Sequence, residues 1–300
     1  MKKFSIKHRE ERITGILMIL PAIILLSIFV ITPLIMAIYR SFFDYRAGQI
    51  SEFVGMENYL NIIKNSVFFK SIWNVVKLAF IITFSQILLS FFFANAIIRI
   101  KGRFAVFSRT IIYLPHLISG IVVAVIFTLL TTYNGGIINA ILDVINIEPI
   151  AFNNDMVWSP ISIIIPTIWI GFGYFTLVMY AGLINIPKEY FEAAAIEGAS
   201  FLRSTRFVTI PCMKNYFILL IVTSIVGNLQ MFEIPMIMTN GQPANTTMTP
   251  ILYLIHSRSN GNISDSEITA AAILIMIIIL IINSSIFYLF RTRKDNQWEM

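Results

Sequence analysis

Charge is what this sequence has least of. Asp, Glu, Lys and Arg make up 13% of its 300 residues, against about 25% in soluble domains. Apolar residues reach 57%, and the mean hydropathy is +0.79. A chain with half the usual charge and excess apolar bulk has lipid as its main solvent. Cysteine is nearly absent: Cys212 stands alone, which excludes an internal disulfide. The three histidines, His8, His116 and His256, have no metal-ligand spacing, so no metal site is expected. No G-x4-G-K-[ST] loop occurs, which excludes ATP binding by that route. No Ser-His-Asp set can be read from the order of residues, and the apolar segments hold almost no acids or histidines. A membrane-embedded enzyme needs titratable groups converging at one depth, so no catalytic residue is assigned. Low-complexity linkers and internal repeats are also missing, and with them the inverted-repeat signature of many secondary transporters.

Long apolar runs are what the sequence does have. A spanning helix needs about 20 mainly apolar residues. Six stretches qualify: Ile13–Met36, Val75–Ile98, Thr110–Leu130, Ile161–Ile184, Tyr216–Met238 and Ile268–Phe290. The expected fold is all-α and polytopic. Pro21, Pro33, Pro115, Pro166 and Pro235 fall inside these runs. Neighbouring helices and water can satisfy the backbone groups that prolines free. The uncharged stretch Ile13–Tyr39 is too long for a signal-peptide core of about 7–15 residues, so an uncleaved helix is expected.

Lys and Arg set the orientation. Segments 1–12, 99–109, 185–214 and 291–300 carry five, four, four and three of them, while 40–70, 131–158 and 239–267 carry four, none and one. The net charge of +6 and pI near 9.4 thus reflect topology rather than nucleic-acid binding, with both termini in the cytoplasm. The loops opposite mix Asn, Gly and acids with aliphatic and aromatic residues, which suits short surface helices.

Two regions carry candidate function. Tyr190–Pro211, YFEAAAIEGASFLRSTRFVTIP, lies on the basic side between two spans. Pro187 fits a first helical position, and Glu189 and Glu192 suit a first turn, so a helix over 188–200 is expected. At that spacing Phe191, Ala194, Ala195 and Gly198 share a face of small residues with one aromatic knob. The stretch reads either as a docking helix or as a packed loop helix without a partner. Within the fourth and fifth spans, Trp169, Gly171, Gly173, Tyr174 and Phe175 stand beside Ser224, Asn228 and Gln230. Aromatics with amides and hydroxyls suit a sugar; they equally suit helix packing through small residues and cross-helix hydrogen bonds. Glu233 either faces an aqueous cavity or marks where a helix leaves the lipid. Lys77 lies near a helix end and can snorkel.

Glu192-Ala193-Ala194, Gly198 and Val208-x-Ile210-Pro211 resemble the E-A-A-x3-G-x9-I-x-L-P motif of ABC-importer permeases. Further segments resemble the carbohydrate-uptake branch of the maltose, lactose and glycerol-phosphate type. These are Phe53-Val54-Gly55-Met56-Glu57-Asn58-Tyr59, Tyr113-Leu114-Pro115 with Gly135-Gly136-Ile137-Ile138-Asn139, and Thr239-Asn240-Gly241-Gln242-Pro243 with Thr246-Thr247. Gln242 stands where that branch has a second glycine.

The resemblance implies the six-helix type I importer permease fold. Residues 1–12 would be a basic cytoplasmic segment and 13–70 the first helix with its outer loop. Residues 71–290 would be a five-helix core carrying the coupling helix 188–200, and 291–300 a cytoplasmic tail. Glu189, Glu192, Ala193, Ala194, Gly198 and Pro211 would form the docking segment for an ATPase dimer, which would hold the ATP and magnesium; this chain would hold no cofactor. A second homologous permease and a sugar-binding protein outside the membrane would complete the assembly in a bacterial inner membrane. The same resemblance points to Ile170, Gly171, Tyr174, Phe175, Ser224, Asn228 and Met231, beside Glu233, as the substrate path. The rival reading is a secondary transporter of a small polar solute, without ATP.

Overall fold

The computed structural model describes residues 2–46, 49–261 and 263–290. The tail expected at 291–300 lies outside the described residues. In chain order the helices are α1 (Lys2–Leu26), α2 (Thr32–Arg40), α3 (Glu57–Lys64), α4 (Ser66–Ile97), α5 (Arg103–Tyr113), α6 (Gly120–Thr131), α7 (Ile137–Val144) and α8 (Trp158–Ile184). They continue with α9 (Lys188–Ile196), α10 (Phe201–Ser204), α11 (Ile210–Cys212), α12 (Lys214–Leu229), α13 (Glu233–Met238), α14 (Pro250–Asn260) and α15 (Asp265–Phe290). One antiparallel hairpin, β1 (Phe43–Arg46) with β2 (Gln49–Phe53), is the only strand pair among the described residues.

Among the described residues, four segments are long and apolar enough to cross a membrane: Thr14–Arg40, Ser66–Ile97, Trp158–Ile184 and Asp265–Tyr288. The first passes from α1 to α2 through a wide π turn, Ser27–Ile31, closed by Thr32 Oγ1 donating to the Ser27 carbonyl at 2.8 Å. Pro33 supplies no N–H at the next position, so the carbonyl ladder must loosen there. Helix α4 begins well before the expected Val75, because Asn65 caps it by accepting from the N–H groups of Val67 and Phe68 at 3.0 and 3.1 Å. Helix α8 starts on a similar device. Asp155 Oδ1 accepts from Val157 and Trp158 at 2.8 and 3.0 Å, and these bonds hold its carboxyl below the usual carboxylate range. That stabilisation is present above the unfolded pKa and is lost only as pH falls through the lower folded value.

The third and fifth expected spans are broken rather than continuous. Arg103–Leu117 and Gly120–Thr131 meet at 95°. Pro115 tightens the end of α5 into a 3-10 turn, and Ile118 and Ser119 are extended, with ψ of 136° and 141°. Hydropathy is continuous across this point, so a window average sees one helix. In the fifth segment, α12 ends at Leu229 and α13 begins at Glu233. Pro235 sits in the first turn of α13, where its missing N–H has no intrahelical partner to lose; it starts a new helix instead of kinking the old one. The segment before α12, Phe201–Cys212, meets it at 69°.

The chain divides into two compact units. In one, the described residues up to Lys64 pack with Ser257–Ile275. Tyr59, Ala270 and Ile273 form its apolar centre. Gly55 adopts a left-handed φ of 56°, a conformation open to glycine. Asn58 Nδ2 then reaches the carbonyls of Ser41 and Phe43 at 2.8 and 3.1 Å, and Tyr59 OH meets Ser41 Oγ at 2.6 Å. The Phe53–Tyr59 motif is therefore a structural knot.

The other unit joins Asn65–His256 with the described residues from Met276 on. Ala94, Phe175, Met179, Leu183, Met213 and Leu220 form one core, joining α4, α8 and α12. Ala124, Ile163, Ile234 and Met238 form a second around α6 and α13. Gly173 lets α8 approach α5 so closely that an added Cβ would meet the Ile112 carbonyl carbon at 2.7 Å and Tyr113 Cα at 2.9 Å. The Thr239–Thr247 loop is tied to α4 by Asn74 Nδ2, which donates to the Asn245 and Met248 carbonyls at 2.7 and 3.1 Å. Its left-handed positions are Asn240, Gly241, Ala244 and Asn245. Gln242 is not among them, so a side chain there is accommodated.

Candidate functional site

No residue of helix α9 is buried. Its ends are the opposite. Ile186, just before it, is 7% exposed and Met213, after the following turns, is fully buried; both belong to the core that joins α4, α8 and α12. Val208 packs on the same core. Thus an exposed helix is rooted on both sides in the close-packed spans.

Glu189 and Glu192 are exposed on α9. The apolar side chains around them are also uncovered: Ile196 at 87%, Leu202 at 78% and Phe207 at 68%. Arg99 holds Phe201 from above, its guanidinium 5.4 Å from the ring centre, which links the α4–α5 turn to the segment beyond α9. Pro211 lies in α11, past a π turn at Thr205–Thr209.

The expected helix 188–200 ends early, at Ile196, and Gly198 is not on its face. Gly198 takes φ of 70°. Its N–H donates to the Ala195 carbonyl at 3.0 Å, and that of Ala199 to Ala194 at 2.9 Å. This is a Schellman closure, in which a left-handed residue caps the last carbonyls. No atom lies within 4 Å of a Cβ placed there. Pro187 precedes the helix with ψ of 137° instead of forming its first residue.

The substrate-path candidates fall into three groups. Ser224 and Asn228 are buried at the contact of α12 with α4. Ser224 Oγ lies 2.9 Å from Gln86 Oε1 and 2.8 Å from Thr83 Oγ1, while Asn228 Nδ2 donates to Ser224 Oγ at 3.0 Å. Gln86 Nε2 continues the chain to the Thr167 carbonyl of α8 at 3.0 Å. Gly171 lies against that same Gln86 amide. Ile170, Met231 and Phe175 are packed in apolar clusters. Tyr174 and Glu233 remain, and both meet the break between α5 and α6. His116, in the tight turn before the break, stacks on Tyr174 with ring centres 5.2 Å apart and planes at 16°, and its Nδ1 is 3.3 Å from the Ile170 carbonyl. Gly120, just after the break, touches the Glu233 carboxylate.

Sequence reasoning missed Thr83, Gln86 and His116. A Gln and a Thr three residues apart in an apolar run were a usable signal for α4. Nothing local marked His116 beyond its place after Pro115. No group of three His, Cys, Asp or Glu able to hold a metal occurs among the described residues.

Residues 86–296 match the family described as "Binding-protein-dependent transport system inner membrane component". Curated relatives extend over nearly the whole chain. The lactose transport system permease protein LacF of Rhizobium radiobacter is 30% identical over 294 residues, 95% of this chain and 97% of its own length. The trehalose/maltose transport system permease protein MalF of Thermococcus litoralis is 29% identical, with 95% of each chain covered. The sulfoquinovosyl glycerol transport system permease protein SmoG of Agrobacterium fabrum is 26% identical, covering 94% of this chain and 92% of its own. Among solved structures, a chain of a bacterial ABC transporter involved in the import of the acidic polysaccharide alginate superposes with a TM-score of 0.81. Its identity is 22% over 97% of this chain and 99% of that one, so it speaks for the fold.

Proposed function

Because the chain belongs to the binding-protein-dependent transport system inner membrane components, we propose that it is the membrane-spanning permease subunit of an ATP-driven ABC importer for a sugar. The solute class is a mono- or oligosaccharide or a related polyol or sugar phosphate, as the relatives' names suggest. The chain is a transport subunit and sits in the membrane with several spans. Its orientation puts both termini in the cytoplasm, following the Lys and Arg distribution.

The observation that carries the mechanism is the exposed α9 with buried roots. An ATPase dimer, holding ATP and magnesium, receives Glu189, Glu192, Ala193 and Ala194 of α9. When that dimer closes, α9 moves and its roots turn the packed spans, which switches a central path between inward and outward access. A second homologous permease forms the other wall, and a binding protein outside delivers the sugar. Within the path, Tyr174 offers an aromatic face beside His116 before the break in the third span, and Glu233 an acceptor beside Gly120 after it. Ser224 and Asn228 act behind them as cross-helix bonds.

Tagging the chain and extracting it from its native membrane tests this directly. An ATPase and a second multi-span protein are expected to co-purify. Glu192→Ala is expected to insert normally and lose both transport and the ATPase. Recovery of the chain alone, carrying solute in liposomes without ATP, would sink the reading.

A further inference from the structure

The smaller unit holds a cavity of about 440 Å³, lined among the described residues by Arg40, Tyr45, Arg258, Asp265, Ser266 and Thr269, with Ile268. From it we infer a binding site for the phosphodiester of a membrane glycerophospholipid. Arg40 closes the first span, Thr14–Arg40, and Asp265 opens the last, Asp265–Tyr288. Both mark the membrane boundary on the face opposite the amino terminus, which is headgroup depth. Neither arginine is paired with a carboxylate among the described residues, and both are exposed. The Arg40 guanidinium is held 5.1 Å from the centre of the Tyr45 ring. The planar guanidinium presents its N–H fork in the geometry that suits a phosphate edge.

The first turn of α15 supplies further donors. Ser264 and Glu267 form a capping box, with Ser264 N–H on Glu267 Oε2 at 3.1 Å and Glu267 N–H on Ser264 Oγ at 3.2 Å. The box leaves the N–H groups of Asp265 and Ser266, and these two residues line the cavity. Ser266 is 1% exposed and its hydroxyl has no hydrogen-bond partner. The hydroxyl has no bond to lose, so a rotation about its Cα–Cβ bond would turn it to the cavity, where a phosphate oxygen would satisfy it. Asp265 puts one carboxylate on the rim, so two arginines and a helix end outweigh it. Ile268 and the Tyr45 ring give the glycerol and upper acyl chains an apolar wall, as interfacial aromatics do.

The test is native mass spectrometry of the full chain purified with its partners and stripped of lipid, titrated with phosphatidylglycerol. Diacylglycerol with the same acyl chains serves as the headgroup-free control. Phosphatidylglycerol adducts are expected to outlast diacylglycerol adducts and to resist millimolar inorganic phosphate. Arg40→Gln with Arg258→Gln is expected to lower retention about thirtyfold, the factor for removing two arginines from an anionic lipid surface. Equal retention of the two lipids would overturn the site, as would adducts unchanged in the double variant. Displacement by inorganic phosphate would overturn the lipid in favour of a free anion. If the double variant fails to assemble, the two comparisons on the unaltered protein decide.

Discussion

Gly171 and Gly173 lie two residues apart on α8, yet they confront different neighbours. A Cβ at Gly173 meets the backbone of Ile112 and Tyr113, which cannot swing aside; at Gly171 it meets the end of the Gln86 side chain. Gly173→Ala should therefore force α8 away from α5 and cost about 1–3 kcal/mol, the range for overpacking a filled site. Gly171→Ala should cost less, since Gln86 can rotate, although it then leaves Ser224. Thermal unfolding of the purified protein in detergent checks the order; equal shifts would mean that the α5–α8 contact yields. The Gln86–Ser224 bond lends itself to a double-mutant cycle with Gln86→Leu and Ser224→Ala. Cross-helix hydrogen bonds in membranes average about 0.6 kcal/mol and reach about 1.7, so a coupling near 1 kcal/mol is expected, and zero coupling would remove this bond from the packing account. The same pair shows where sequence reading stopped. Ser224 and Asn228 were visible as polar residues in an apolar run, but their partners Gln86 and Thr83 lie 138 and 141 residues upstream of Ser224. Polarity is local information, whereas a hydrogen-bond partner is a consequence of the fold.

At the scale of elements, the legible parts were those specified by neighbours in sequence. The uninterrupted spans and α9 follow from hydropathy, an acidic first turn and a closing glycine. The breaks at Ile118–Ser119 and Gln230–Phe232 were less legible, because mean hydropathy stays high across both and their isolated polar residues, Ser119 and Gln230, also occur inside spanning helices. Gly198 was legible as a glycine but not for its cause. A small-residue docking face and a left-handed terminus demand the same residue for different reasons, and the structure favours the terminus: φ is 70° and the space beyond is open. The two causes predict different variants. Asn is bulky but tolerates the left-handed region, whereas Ala is small and does not. If conformation governs, Gly198→Asn should retain most ATPase co-purification and transport, while Gly198→Ala should lose about 1 kcal/mol of helix-end stability and part of both activities. If close docking governs, Asn should fail at least as badly as Ala.

For the whole molecule, the side of the membrane that α9 occupies hangs on the third span. Its arms, Arg103–Leu117 and Gly120–Thr131, are each too short to cross about 30 Å of hydrocarbon alone, since helices rise 1.5 Å per residue. Two topologies follow. If the bent pair crosses, α8 returns to the amino-terminal side and α9 faces the cytoplasm. If it turns back, α8 exits and α9 faces outward, where no ATPase could reach it. The charges decide between them. Segment 131–158, after the bent pair, has no Lys or Arg, whereas 185–214, around α9, has four; a re-entrant pair would invert the positive-inside bias of both. Cys212, exposed at the end of α11 in the same segment 185–214, is a built-in reporter of this parity. A membrane-impermeant maleimide is expected to leave Cys212 untouched in intact cells and to label it once the membrane is opened. Tyr133→Cys, placed in a Cys212→Ser background, is expected to label in intact cells. Labelling of Cys212 from outside would make the third span re-entrant and would remove α9 from the ATPase.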